Sequence, residues 1–270
     1  MQVAKGSGSV VNGYESISGQ INTELRKPLT DDKFFLNLFA NAMERLELNA
    51  HYTSNLNNKL DHGLYFHTNK KATSADNNND GFRDSPTGEQ LNILNRFQYT
   101  NLEKGLVGFF DFNYVFDERV YGENEYIDGI IFAENQNYWG GKTDSEILKI
   151  NFKFGYVDPM ITYRSLGLQF AYTGIDMGSS FGFRNHDTKQ TSIYSNLVYN
   201  SIIGDTRSKI KTGISLTFDE FDESIFNNNP SLNNFEISRI EKSIGAYFEY
   251  NYDDLDLSLI HISEPTRPRL

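Results

Sequence analysis

The stretch LVGFFDFNYVF, residues 106–116, decides how the chain is read. Leu106, Phe110, Phe112, Tyr114 and Phe116 fall on one side of an extended chain, and Asp111 and Asn113 fall on the other. A period of two in hydrophobicity is the mark of a β-strand with unlike faces, because successive side chains point to opposite sides of a sheet. The pattern recurs along the chain. In 148–156, Leu148, Ile150, Phe152, Phe154 and Tyr156 alternate with Lys149, Asn151, Lys153 and Gly155. In 210–218, Ile210, Ile214, Leu216 and Phe218 alternate with Lys211, Gly213, Ser215 and Thr217. In 244–250, Ile244, Ala246, Phe248 and Tyr250 alternate with Gly245, Tyr247 and Glu249. Weaker copies at 46–52, 63–66, 91–99, 166–172 and 193–199, with 34–39, bring the expectation to about ten strands, and no helical stripe competes.

The connections are expected to alternate in length. Short ones are read at 41–42, 55–59, 102–105, 158–159 and 203–208, and long polar ones at 68–89, 121–145, 174–190 and 219–236. Short turns on one side, long loops on the other and strands of ~10 residues are the signature of an outer-membrane β-barrel. A soluble all-β protein also alternates, since one sheet face packs on a core. Two features favour the membrane. The patterned stretches are longer than the ~5–6 residues of an ordinary strand. Their non-apolar face also carries Lys, Asn, Arg and Gln at nearly every step, which a hydrated lumen accepts and a dry core does not.

Composition narrows the function classes. The 270 residues include 16 Tyr, 21 Phe and a single Trp, the net charge is −11, and the mean hydropathy is −0.53. An acidic balance argues against a nucleic-acid partner, which demands clustered Lys and Arg. There is no cysteine, so neither disulfides nor thiolate sites arise. No apolar run is long enough for a membrane-spanning helix. The opening MQVAKGSGS has no apolar leader segment, so an exported protein would begin upstream of Met1.

Before the strands lies VAKGSGSVVNGYESISGQINTELRKP, residues 3–28. Lys5, Gly6, Ser9, Asn12, Gly13, Ser18, Gly19, Ile21 and Asn22 in this order resemble the end of the plug domain of TonB-dependent outer-membrane receptors. There a Lys-Gly-x-x-Ser segment and a glycine turn lead into an Ile-Asn strand that feeds the first barrel strand. Ser7 stands where the family has proline, and Ser18 stands in the usual Gly-Gly pair. The stretch 77–99 also resembles receptors of this family from Bacteroidetes-type bacteria.

The resemblance implies an all-β chain divided into the end of a plug (1–28), the first part of a transmembrane antiparallel barrel (29–256) and a tail. A plugged barrel has ~22 strands, so about ten imply an internal piece. It implies a receptor in the outer membrane of a Gram-negative cell, in contact with membrane lipid. Such a receptor takes up a scarce small molecule or chelate: a siderophore, cobalamin, another metal chelate or a glycan. Energy would come from the TonB complex through a TonB box that this sequence does not contain. No catalysis and no required cofactor are implied. The alternatives are another outer-membrane barrel, enzyme or adhesin, and a soluble calcium-stabilised binding module. The tail, 257–270, breaks the pattern with Pro265 and Pro268. LSLIHISEPTR within it resembles a translated sequencing-library adapter, so it is set aside from functional argument.

Three groups of candidate site residues follow. In DNNNDGFRD, 76–84, Asp76, Asn78, Asp80, Phe82 and Asp84 occupy the oxygen-donor positions of a calcium loop, with Gly81 at the sharp turn. The acidic residue expected at the twelfth position is missing, with Thr87 there, and a plain Asn/Asp/Gly turn explains the same residues. Trp139, Tyr138 and Phe181, as aromatics on long connections, and Arg184 are candidates for ligand contact, with packing of loop on loop as the alternative. Arg96, Lys149, Lys153, Lys211 and Glu249 are placed by strand parity on the polar, lumen-facing side. There they are expected to pair with the plug, to line a path or simply to be solvated. The histidines are scattered, and His62 and His67 fall on opposite faces.

Overall fold

The structure is a computed structural model and describes residues 2–6, 11, 19–126, 138–229 and 231–253. It is all-β. Strands β1 (Gln2–Lys5) and β2 (Gly19–Asn22) form a small antiparallel pair of their own. The remaining strands are β3 (Phe34–Ala40), β4 (Arg45–Asn57), β5 (Leu60–Lys71), β6 (Thr87–Asn101), β7 (Leu106–Gly122), β8 (Gly140–Val157), β9 (Ser165–Phe181), β10 (Arg184–Ile203), β11 (Asp205–Asn227) and β12 (Phe235–Tyr252). They form one ten-stranded sheet in which each strand is hydrogen-bonded antiparallel to its sequence neighbours. The sheet is open: β3 and β12 are its two edges and do not pair with each other. No helix among the described residues is long and apolar enough to cross a membrane.

The register turns the sequence alternation into two unlike surfaces. Phe97 on β6 stands opposite Phe110 on β7, Phe110 opposite Phe152, and Phe152 opposite Phe170 on β9. The neighbouring row runs Phe112, Ile150, Tyr172, Ile193 and Phe218. On the other face Arg96 stands opposite Asp111 and Asp111 opposite Asn151, while Lys211 stands opposite Glu249. A one-residue slip would exchange the faces of a strand, so this alignment across many rows fixes the register.

Burial is inverted relative to a soluble domain. No hydrophobic residue among those described is buried. The buried residues are polar or charged, among them His51, Thr53, Asp61, Asn69, Arg96, Gln98, Asp111 and Asn196. The large apolar side chains of the other face, such as Phe110, Phe154, Leu168, Ile214 and Phe248, are exposed.

Two expected long connections are strand instead. Residues 174–190 contain only a two-residue turn, Gly182 and Phe183, between β9 and β10, and 219–236 shrinks to 228–234 because β11 continues to Asn227. The reason is chemical. Above the apolar band both faces of these strands are polar, so Asp176, Ser179, Thr188, Asp219 and Glu223 carry no alternation while remaining fully paired. The alternation of connection lengths is correspondingly weaker. The connection at 158–164 on the opposite end is as long as that at 228–234, and β10 passes to β11 through Gly204 alone. Of the turns, 102–105 shows why one residue type is required. Gly105 closes a single 3-10 turn, Leu102–Lys104, at φ +66°, and a Cβ there would lie 1.8 Å from the Val157 carbonyl oxygen.

Candidate functional site

Two regions of the polar face stand out. The first lies near the end bearing the short turns, where the segment leading into β3 crosses the face. The main-chain carbonyl of Asp32 accepts from Thr53 Oγ1 at 3.1 Å and lies 3.0 Å from His51 Nε2, and Thr53 N donates to the Lys33 carbonyl at 2.9 Å. His51 stacks on Phe35 with ring centres 5.3 Å apart. Pro28 is buried in the same place, against Gly63, whose hydrogen leaves room for the Pro28 and Tyr65 rings. A cavity of about 410 Å³ remains between this segment and the sheet, lined in part by Arg26, Phe35, Asn49, His51 and Tyr65. Further along the chain, Asn196, 2% exposed, donates to the Val11 carbonyl at 3.0 Å and accepts from the Tyr247 hydroxyl at 3.1 Å. The N-terminal segment therefore touches the polar face at two places, on β4–β5 and on β10.

Of the plug-motif residues, Lys5 lies on β1 and pairs with Gly19 on β2, while Ile21 and Asn22 continue β2, with Gly6 immediately after β1. Ser9, Asn12, Gly13 and Ser18 lie outside the described residues, as does the tail from residue 254 on.

The charged residues assigned to the polar face all lie on it, and Arg96, Lys211 and Glu249 pair within the sheet. Arg96 Nη1 meets Asp111 Oδ2 at 3.1 Å, and its guanidinium sits 4.6 Å above the Phe109 ring. Lys211 is 3.8 Å from Glu249. Lys149 and Lys153 occupy the neighbouring strand on the same side, opposite Asn113 and Phe109. Arg96 Nε, Asp111 Oδ1, Gln98 Oε1 and Asn113 Oδ1 are buried without a partner in the protein. Groups of that kind cost ~1–3 kcal/mol each in a dry core.

The second region is the end bearing the longer connections. Here 72–86 is stitched to 121–126, and Glu123 in turn to Trp139. Arg83 donates to the carbonyls of Tyr126 at 2.8 Å, Asn124 at 3.1 Å and Tyr121 at 3.5 Å. Asn124 Nδ2 donates to Asp76 Oδ2 at 3.0 Å, and Asn124 N donates to the Gly81 carbonyl at 2.9 Å. Phe82 forms an isolated bridge to Glu123, whose N–H and carboxylate bond the backbone of Trp139. The calcium spacing resolves into this network. Asp76 accepts from Gly81 N at 2.9 Å and Asp80 N at 3.1 Å, Asp80 accepts from Phe82 N at 2.8 Å, and Asp84 accepts from Asn77 N at 3.0 Å. Asn78 Nδ2 donates to Asp80 Oδ2 at 2.9 Å. Asn79, at φ +57°, and Gly81, at φ +89°, make the turn. No three His, Asp or Glu side chains among the described residues converge as a metal cage. The loop's shape follows from main-chain N–H groups capped by carboxylates.

The aromatic candidates gather over this floor. Phe181 lies across Gly141, where a Cβ would come 2.5 Å from its ring, and beside Tyr121, with ring centres 6.4 Å apart. Trp139 is 6.4 Å from Phe82 and its indole lies against Gly182. Trp139 is 51% exposed, Phe181 47% and Phe82 43%. Tyr138 is also exposed, and Arg184 donates to Asn227 at 3.2 Å. Phe82 was read in the sequence only as a carbonyl donor, and Tyr121 was not singled out. Their part in the aromatic group depends on pairings between connections that no local pattern reveals.

Comparison with protein-family models, with curated proteins and with solved structures finds no match to this chain.

Proposed function

We propose that this chain is part of a TonB-dependent outer-membrane receptor: the end of its plug and the first part of its barrel, taking up a scarce nutrient into a Gram-negative cell. The observation that carries the reading is the inverted sheet. Every buried residue described is polar or small, the large apolar side chains are exposed, and the chain's leading segment lies on the polar side. A soluble monomer rarely exposes a contiguous apolar patch beyond a few hundred Å², roughly, whereas a lipid-facing wall exposes nothing else. The apolar run of β8, Leu148 to Tyr156, measures about 27 Å along the strand and about 21 Å at a barrel-like ~40° tilt, close to the ~25 Å apolar band of such walls. The partnerless buried polar atoms beside Arg96 and Asp111 suit a hydrated lumen. The resemblance of Lys5, Gly6, Gly19, Ile21 and Asn22 to a plug terminus adds the family, and with it the inner-membrane TonB complex as partner.

Long-read recovery of the continuous gene tests this. The reading expects a frame running upstream into a plug with a TonB box and downstream through about a dozen further strands. A frame that starts at Met1 and stops just after Asp256 would overturn it.

A further inference from the structure

At one end the sheet's polar face gathers several large rings. From Arg45 to Asn251 it presents mainly amides, hydroxyls and charges. At the end bearing 72–86 and 123–139, however, the same face carries a group of large rings. Strand parity places Tyr121, Gly141 and Phe181 on that side, with Tyr121 paired to Gly141 and Gly141 to Phe181, and Trp139, just before β8, stands beside Phe82. The bridge between Phe82 and Glu123 brings Phe82 into the adjoining row. The rings are not merely filling space, because Trp139, Phe181 and Phe82 are all about half exposed. They are also held. Gly141 leaves room for Phe181, Gly182 at φ +57° admits the Trp139 indole, and Glu123 fixes the Trp139 backbone from both directions. Rigid, exposed aromatic faces at the mouth of a polar surface bind ligands at low entropic cost.

The surrounding charges narrow the ligand. The cations near these elements are already engaged: Arg83 with three carbonyls, Arg184 with Asn227, Arg119 with Asp117 at 2.8 Å, and Lys142 with Glu118 at 3.0 Å. Glu123, Asp117 and Glu223 lie on the same side. An anionic chelate would meet these carboxylates, while the described cations near them, Lys71 beside Ser85 included, each already have a partner. A neutral ligand with an apolar C–H face and many hydroxyls meets rings for the former. For the latter it meets the hydroxyls of Tyr121 and Thr143, 3.4 Å apart. Resting on the receptor reading, we propose that Trp139, Phe181, Phe82 and Tyr121 form the contact surface for a neutral glycan, one sugar ring stacking on Trp139 or Phe181.

Trp139 is the only tryptophan in the chain, so its fluorescence reports directly on the site. The protein, refolded in detergent micelles and checked for β-sheet by circular dichroism, is titrated with neutral hexasaccharides (α-glucan, β-glucan, xylan and mannan) and with ferric citrate as the anionic probe. The proposal expects a saturable change in Trp139 emission with at least one neutral glycan and none with ferric citrate. It also expects F181A to weaken binding about tenfold or more, while F154A on the opposite face leaves it unchanged. A response to ferric citrate alone, or none to any probe from a chain with intact β-sheet, overturns the glycan proposal and leaves the receptor reading standing. A gene that ends as a soluble protein overturns both.

Discussion

Asn196 on β10 donates its side-chain amide to the carbonyl of Val11 at 3.0 Å, across 185 positions of sequence. It is the most completely buried side chain described, at 2% exposure, and it lies on the polar face of the sheet. A buried asparagine at the meeting point of an N-terminal segment and a strand wall makes the wall the inside of the molecule. Asn196→Ala removes the donor to the Val11 carbonyl and the acceptor of the Tyr247 hydroxyl, at a cost of about 1–3 kcal/mol. The expected result is faster tryptic cleavage after Lys5 in the micelle-folded protein, with little change in cleavage elsewhere. Unchanged cleavage would mean that Val11 does not rest on Asn196.

The stitching of 72–86 to 121–126 gives a second test. Arg83→Ala removes the donor to the carbonyls of Tyr121, Asn124 and Tyr126. Local loosening of about 1–3 kcal/mol should follow, seen as faster hydrogen exchange at 121–126 with the amides of β8 unaffected. Because carboxylates capping N–H groups account for the turn at 76–84, EDTA should leave exchange in this loop unchanged. Exchange that slows on adding calcium would show instead that Asp76, Asn78, Asp80, Phe82 and Asp84 hold the ion their spacing resembles.

At the opposite end, the connection 158–164 is sensitive to acid. Asp158 accepts from Met160 N at 2.9 Å and Ile161 N at 3.2 Å, and these bonds, aided by the Arg164 charge, hold its carboxyl below the ordinary aspartate range. A depressed folded value means that the stabilisation is complete above the unfolded value near ~3.9 and is lost as pH falls through the folded value. Protection of the Met160 and Ile161 amides, taken as the exchange rate relative to an unstructured amide at the same pH, should therefore fall at low pH in the native protein, while Asp158→Asn, which cannot titrate, should remove that fall. Equal pH dependence in the two proteins would assign it to another group.

The wall was legible in the sequence, and its upper reaches were not. All ten sheet strands coincide with the stretches expected to be strands, most of them marked by Phe, Ile, Leu or Tyr alternating with polar residues, because the two faces of the sheet differ in chemistry. Where both faces are wet, as at Asp176 to Ser180 or Asp219 to Glu223, the alternation vanishes although the ladder continues. Trp139 and Phe181 were legible as exposed aromatics, but the glycine that seats Phe181 and the bridge that brings in Phe82 depend on registers between distant residues. Asn196 gave no signal at all, being one amide among many on its face.

The central claim is that the two faces of the sheet meet different solvents, and β8 tests it most directly. The chain has no cysteine, so single cysteines can be placed in turn from Leu148 to Tyr156 in protein inserted into lipid bilayers. Labelling with a charged, membrane-impermeant maleimide should then be followed position by position. The account predicts low labelling at 148, 150, 152 and 154 and high labelling at 149, 151 and 153. Uniformly high labelling on both faces, or an alternation of opposite phase, would contradict it.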